Sequence, residues 1–316
     1  MIRKPILILF IFSVLFSGSL YAQEIQKVAQ AKDAALAEAP PDTAAKHWFI
    51  HGTGSAQFSQ ASFTNWSSGG QNTLGLATWL NFKINYRKGK HIWANTIDLG
   101  YGFNIQGKAS EAKFTKTNDK IELTSAYGFE LNPNRKWYLT VLVNFRTQFA
   151  NGFNYPDDTT VISKFMAPGY LVAGLGVTYA PAKWFTIYLS PASGRFTFVT
   201  DKILSDAGAF GVEKGKQIKG ELGPYLRADL NKDLAKNINL TTNLELFTDY
   251  LHNFGNIDVN WSFLLSLKVN KWLAASIQTQ LIYDDDVKIM VDPLKPLVPR
   301  TQFKELLGIG LTYKFK

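Results

Sequence analysis

Between Lys120 and Gln148 the chain changes polarity at almost every step. One set of positions reads Ile121, Leu123, Ser125, Tyr127, Phe129 and Leu131, then resumes after a break as Trp137, Leu139, Val141, Val143, Phe145, Thr147 and Phe149. The set between reads Lys120, Glu122, Thr124, Ala126, Gly128 and Glu130, then Tyr138, Thr140, Leu142, Asn144, Arg146 and Gln148. Period-two alternation on both sides of Asn132-Pro133-Asn134-Arg135-Lys136 predicts an antiparallel hairpin with one apolar and one polar face. An arm of about 13 residues spans roughly 43 Å, or about 33 Å when tilted near 40°. That is about twice a usual strand, and it suits a bilayer core of about 30 Å. A soluble barrel or sandwich with its apolar face inward shares the alternation. Three further features favour the membrane.

The first is the spacing of the pattern. Twelve strands are expected at 48–58, 72–86, 91–103, 119–131, 137–149, 169–179, 184–190, 216–230, 238–250, 257–269, 272–283 and 304–315, the seventh extending past Pro191 if Arg195 to Val199 belongs to it. The connections at 87–90, 132–136, 180–183, 231–237 and 270–271 are short. Those at 59–71, 104–118, 150–168, 191–215 and 284–303 are long, and 251–256 is brief. Outer-membrane barrels alternate short periplasmic turns with longer external loops. The second feature is a set of tryptophans. Trp93, Trp137, Trp184 and Trp272 follow short turns, each within three residues of Lys90, Lys136, Lys183 or Lys271. Amphipathic rings and lysines at one depth describe an interfacial girdle. The third is the chain end, where Leu307, Ile309, Leu311, Tyr313 and Phe315 alternate with Gly308, Gly310 and Thr312. Such a strand resembles the signal read by the barrel assembly machinery, with Lys316 as a departure from a terminal aromatic.

Composition narrows the class. Mean hydropathy is −0.08, far from that of a helical membrane protein and natural for an alternating barrel. Arg3 and Lys4, the apolar run Pro5 to Phe16, and Gly18 to Ala22 read as a secretory signal over 1–22. Residues 23–47, rich in Ala, Gln, Lys and Glu, are expected to be a flexible periplasmic segment or a partner-binding helix. The formal charge of +9 falls to +7 without Arg3 and Lys4, which suits anionic headgroups. With no cysteine, disulfides, thiolate metal sites and thiol catalysis are excluded.

The segment Gln60-Ala61-Ser62-Phe63-Thr64-Asn65-Trp66-Ser67-Ser68-Gly69-Gly70-Gln71-Asn72 resembles the opening motif of the domain-of-unknown-function 3078 family, barrels of Bacteroidota-type bacteria. Trp93-Ala94-Asn95, Leu99-Gly100-Tyr101-Gly102 and Leu189-Ser190-Pro191 with Gly194 are similar to it too. The resemblance implies an outer-membrane barrel over 48–316 and carries no established activity.

Candidate chemistry lies on the inward face. Aligning the hairpin about its turn sets Glu122 opposite Arg146 and Lys120 opposite Gln148. Registering 216–250 about 231–237 sets Lys219 opposite Asp249 and Arg227 opposite Thr241. These charges read either as a salt-bridge ladder filling a narrow lumen or as the lining of a water-filled pore. Asn65, Trp66, Gly69 and Gly70 form a tight external turn or a loop folded into the lumen. Asp284-Asp285-Asp286 reads as a solvated acidic run rather than a metal loop. Gly174, Gly176, Gly308 and Gly310 fall on inward positions and read as room or curvature. His252, beside Asn253, has no serine at a hydrolase spacing, so no enzyme is expected. The expectation is therefore an all-β, closed antiparallel transmembrane β-barrel of about twelve strands in the outer membrane, both termini periplasmic. Its partners are outer-membrane lipid, the assembly machinery and a small solute, with no cofactor and no nucleic acid. Its role is passage of that solute, a plugged barrel, or a surface scaffold using the long loops.

Overall fold

The computed structural model describes residues 47–61, 72–107, 113–155, 157–270, 273–289 and 298–315. The expected signal and periplasmic segment therefore lie, but for His47, outside the described residues, as do Asn65, Trp66, Gly69, Gly70 and Trp272. Twelve long strands make one sheet: β1 Trp48–Ala61, β2 Thr73–Lys88, β3 His91–Gln106, β4 Lys113–Glu130, β5 Trp137–Thr147, β6 Gly169–Ala182, β7 Phe185–Phe198, β8 Ile218–Ala235, β9 Ile238–Phe247, β10 Asp258–Lys268, β11 Leu273–Tyr283 and β12 Gln302–Phe315. Each is antiparallel to its neighbour in sequence. Gly52 to Ala56 of β1 pair with Phe315 to Leu311 of β12, so the sheet closes into a ring. Closure removes the sheet edges that would otherwise expose unpaired backbone groups. Among the described residues no helix is long and apolar enough to cross a membrane.

The pleat sorts side chains as the alternation dictates. In β2, Leu74, Leu76 and Leu80 are exposed on the outer face, while Ala77, Trp79, Asn81, Lys83 and Asn85 are buried in the lumen. In β5, Leu139, Val141 and Val143 face out and Tyr138, Thr140, Leu142 and Asn144 face in. A bulky Trp79 fits inside because its cross-strand partner is Gly100, where a Cβ would lie 3.0 Å from the indole. Gly176 answers a similar demand, since a Cβ there would meet the Leu189 carbonyl. The lumen is less polar than its sequence pattern suggests. Ile92, Tyr138 and Ala180, beside the short turns, open an apolar cluster that climbs through Leu142 and Tyr188 to Tyr225 and Phe247.

Several boundaries move. β3 runs on to Gln106 and β4 already starts at Lys113, both inside the expected long loop at 104–118. β7 runs through Pro191 to Phe198, the longer of the two readings of the seventh strand. The ladder shifts register between Gly223 and Tyr225 on one side and between Leu175 and Val177 on the other. A bulge is where a residue without an N–H can sit inside a sheet. A short helix, α1 Lys202–Ala207, packs Leu204 against Ala167, Val199 and Val212 in the loop after β7.

Candidate functional site: the lumen and its loop-side cavity

Besides the buried Arg87–Glu130 pair near the short turns, charged side chains on the inward face converge at a lower and an upper level among the described residues. On the β4–β5 hairpin, Glu122 stands opposite Arg146, as the turn predicts. They nevertheless take other partners. Glu122 accepts from Lys120 at 2.8 Å and from Asn144 at 3.1 Å. Arg146 reaches away from its own hairpin and donates through Nη2 to Glu245 of β9 at 2.8 Å. The expected Lys120–Gln148 pair does not form: β5 ends at Thr147, and Gln148 donates to the Lys164 carbonyl at 3.0 Å.

The β8–β9 register departs further from expectation. Arg227 stands opposite Glu245, not Thr241, and Leu230 opposite Thr242, not Ile238. The strands run on to Ala235 and resume at Ile238, around a turn that puts Asn237 at φ 70°. A bulge between Asp233 and Ala235 absorbs the odd residue. The expected seven-residue turn at 231–237 thus becomes the two-residue turn Lys236-Asn237, and the pairing slides by four positions. Lys219 consequently does not face Asp249. It stands opposite Thr197 and turns its ammonium to Glu221 at 3.1 Å and to Asp286. Asp249 lies beyond β9, accepting from the amides of Leu251 at 3.0 Å and Leu222 at 3.3 Å and pairing with His252 at 3.0 Å. Burial pushes its carboxyl up, but those amides and the imidazole outweigh burial and hold it below the usual range.

The lower charged level is built on Arg227, which is 3% exposed. It donates to Asp229 at 3.0 Å and to Glu245 at 3.1 Å. Glu245 therefore binds two guanidiniums, and it also accepts from Asn260 at 3.1 Å. The upper level is built on Arg195, which contacts Glu221 of β8 at 2.5 Å and Asp258 of β10 at 2.5 Å and lies 4.2 Å over the Phe247 ring. Asp284, just past β11, is 3.8 Å from Arg195. Burial raises its carboxyl above the usual range against the pull of that guanidinium. The acidic run is thus not simply solvated: its carboxylates fold over the lumen, and those of Asp258, Asp284 and Asp285 come within 4.8 Å of one another.

Among the described residues two cavities lie along the interior. A cavity of about 370 Å³ opens at the long-loop end and is lined by Arg146, Tyr170, Arg195, Tyr225, Glu245, Phe247, Asp258 and Asp284 among others. A cleft of about 50 Å³ lies toward the short turns among Thr96, Thr140, Thr178, Tyr188, Arg227 and Asp229. Between them sit the carboxylate of Glu245 and its two guanidiniums. An eight-stranded barrel is filled by its own side chains, whereas sixteen strands leave a channel. With twelve, the long Arg146 side chain from β5 reaches Glu245 on β9, four strands round the wall, where Arg227 of the adjacent β8 joins it.

At the short-turn rim Trp93, Trp137 and Trp184 are outward and exposed. The register adds residues that spacing missed. Trp48, Tyr86, Trp93 and Tyr127 stand in one row across four strands. Trp137 stacks on Tyr179 at 4.3 Å, and Lys232 lies 4.4 Å over Trp184. His252 bonds to no serine among the described residues; its neighbour is Asp249.

Residues 58–153 match the family described as "Protein of unknown function (DUF3078)". Among solved structures, the translocator domain of the autotransporter NalP from Neisseria meningitidis is 12% identical, with 87% of this chain and 90% of that one covered, at a TM-score of 0.33. The ferric preacinetobactin receptor BauA from Acinetobacter baumannii is 10% identical, with 78% of this chain and 43% of that one covered, at a TM-score of 0.25. No curated protein matches.

Proposed function

We propose that this chain, whose residues 58–153 match the DUF3078 family, is an outer-membrane barrel held shut across its lumen, with a cup on the external side that receives a small molecule. The observation that carries this reading is the Arg146–Glu245 pair, which joins β5 to β9 through the barrel interior and is locked from below by Arg227. Two levels of ion-paired side chains do not leave the water-filled path a passive porin needs. Solute passage then requires a rearrangement that breaks ion pairs, so the barrel works as a receiver or a gated conduit rather than an open hole.

The membrane setting is supported by the outward rows of leucine and valine, by the aromatic rim, and by the alternation of short turns with longer loops. In that setting the short turns and both chain ends face the periplasm, lipid covers the outer face, and β12 is the strand offered to the assembly machinery. No catalysis is proposed, since no nucleophile accompanies the Asp249–His252 pair among the described residues.

Planar-bilayer recording tests the reading. The purified protein is expected to be silent at low voltage, and a variant carrying both Arg146→Ala and Glu245→Ala to show discrete conductance steps. A steady open channel from the unaltered protein sinks the closed-lumen reading.

A further inference from the structure

The loop-side cavity presents side chains of opposite sign from different strands. At about 370 Å³ it has the size of a small-molecule site. In the ring, β5 and β11 are six strands apart out of twelve, hence on opposite sides. Arg146 comes from β5 and Asp284 follows β11, and both line the cavity.

The cationic pole has donors to spare. Among the described residues Arg146 hydrogen-bonds to Glu245 through Nη2, while its Nε is enclosed without an acceptor. The Tyr225 hydroxyl, on a side chain 3% exposed and also on the cavity wall, has none either. Enclosed donors without acceptors are costly, and a carboxylate is the acceptor that fits a guanidinium fork. The anionic pole has carboxylates to spare. In its ion pairs Arg195 and Lys219 serve Glu221, Asp258, Asp284 and Asp286, two cations against four carboxylates. Asp284 remains partly open, with its nearest cation at 3.8 Å. Between the poles the wall is formed by Tyr170, Val172, Phe247 and Ile282, a surface for an apolar group.

We propose that this cavity binds a small zwitterion with an apolar side chain, an amino acid or short peptide, with its carboxylate at Arg146 and its ammonium at Asp258 and Asp284. The proposal rests on the closed-lumen reading, which supplies the cavity floor. A divalent cation is the weaker occupant, because it needs six or more oxygen ligands and Arg195 already engages Asp258 at 2.5 Å, whereas an ammonium is satisfied by a few acceptor oxygens.

The test uses the full chain in detergent, with phenylalanine, phenylalanine amide, N-acetylphenylalanine and calcium alone as probes, followed by calorimetry and ligand-observed NMR. Phenylalanine is expected to bind at least about tenfold more tightly than either singly charged analogue, the difference one charge-assisted contact makes. Asp284→Asn, placed outside the strands, is expected to bring phenylalanine down to the level of N-acetylphenylalanine while leaving the latter unchanged. Equal binding of parent and analogues, no binding of any probe, or binding of calcium alone overturns the proposal. Conductance is a separate readout: an open channel that still prefers phenylalanine overturns the closed-lumen reading, and a silent barrel without that preference overturns only the zwitterion site.

Discussion

Arg146 on β5 and Glu245 on β9 meet at 2.8 Å inside the barrel although 99 positions separate them in the chain. Four neighbouring strand pairs lie between them around the wall, so the contact is a chord through the lumen rather than a rung of the sheet. Glu245 also holds Arg227, which makes it the carboxylate on which both guanidiniums depend.

Glu245→Ala is therefore expected to cost about 3–5 kcal/mol, because it strands buried guanidinium charge rather than merely deleting a contact. Replacing Arg146 with Met and Glu245 with Leu together is expected to cost less than the single change. Urea unfolding in lipid vesicles, followed by tryptophan fluorescence, measures both. A single variant as stable as the parent contradicts the bridge.

The chain contains no cysteine, so one introduced thiol reports one position. Val143 is 37% exposed on the outer face. In native membranes Val143→Cys is expected to react with an apolar maleimide and to resist a sulfonated one. Equal reaction with both reagents would place this face in water and reverse the inside-out assignment.

Asp201 caps α1, accepting from the Leu204 amide at 3.1 Å and contacting Lys164 at 2.5 Å. The Lys164 ammonium and then that amide hold its carboxyl below the usual range. A carboxyl with a lowered folded-state value stabilises the fold above its unfolded pKa of about 3.9, and the contribution is lost as pH falls through the folded value. NMR of the Leu204 amide is expected to report loosening of this loop in acid and not at neutral pH. Asp201→Ala is expected to loosen it at neutral pH, by about 0.5–2 kcal/mol as for other helix caps, and to add little in acid, where the parent has already loosened.

Asn237 holds φ 70° in the two-residue turn between β8 and β9. Asn237→Gly is expected to be tolerated, and Asn237→Val to cost about 1–2 kcal/mol, since a β-branched side chain clashes in the left-handed region. Unfolding midpoints of the two variants decide the matter; equal midpoints would mean the turn is not as described.

The alternation of Leu74, Leu76 and Leu80 with Trp79 and Asn81, and its recurrence twelve times, was enough to set the strand count, the antiparallel order and which side chains share a face. Those features follow from local geometry, because a pleat puts successive side chains on opposite sides whatever the rest of the chain does. The Glu122–Arg146 register was legible for the same reason: the turn between them is compact and neighbouring in sequence. The β8–β9 register was not, because a bulge at Asp233 and a left-handed Asn237 shift the pairing without disturbing the polarity pattern. Nor could the sequence show that Arg146 abandons Glu122 for Glu245, that Asp258 and Asp284 crowd one guanidinium, or that Trp48, Tyr86 and Tyr127 complete the aromatic rim. Each depends on which strands become neighbours or opposites when the ring closes. Side-chain direction is a property of the strand, but distance across a lumen exists only once the sheet has bent back on itself.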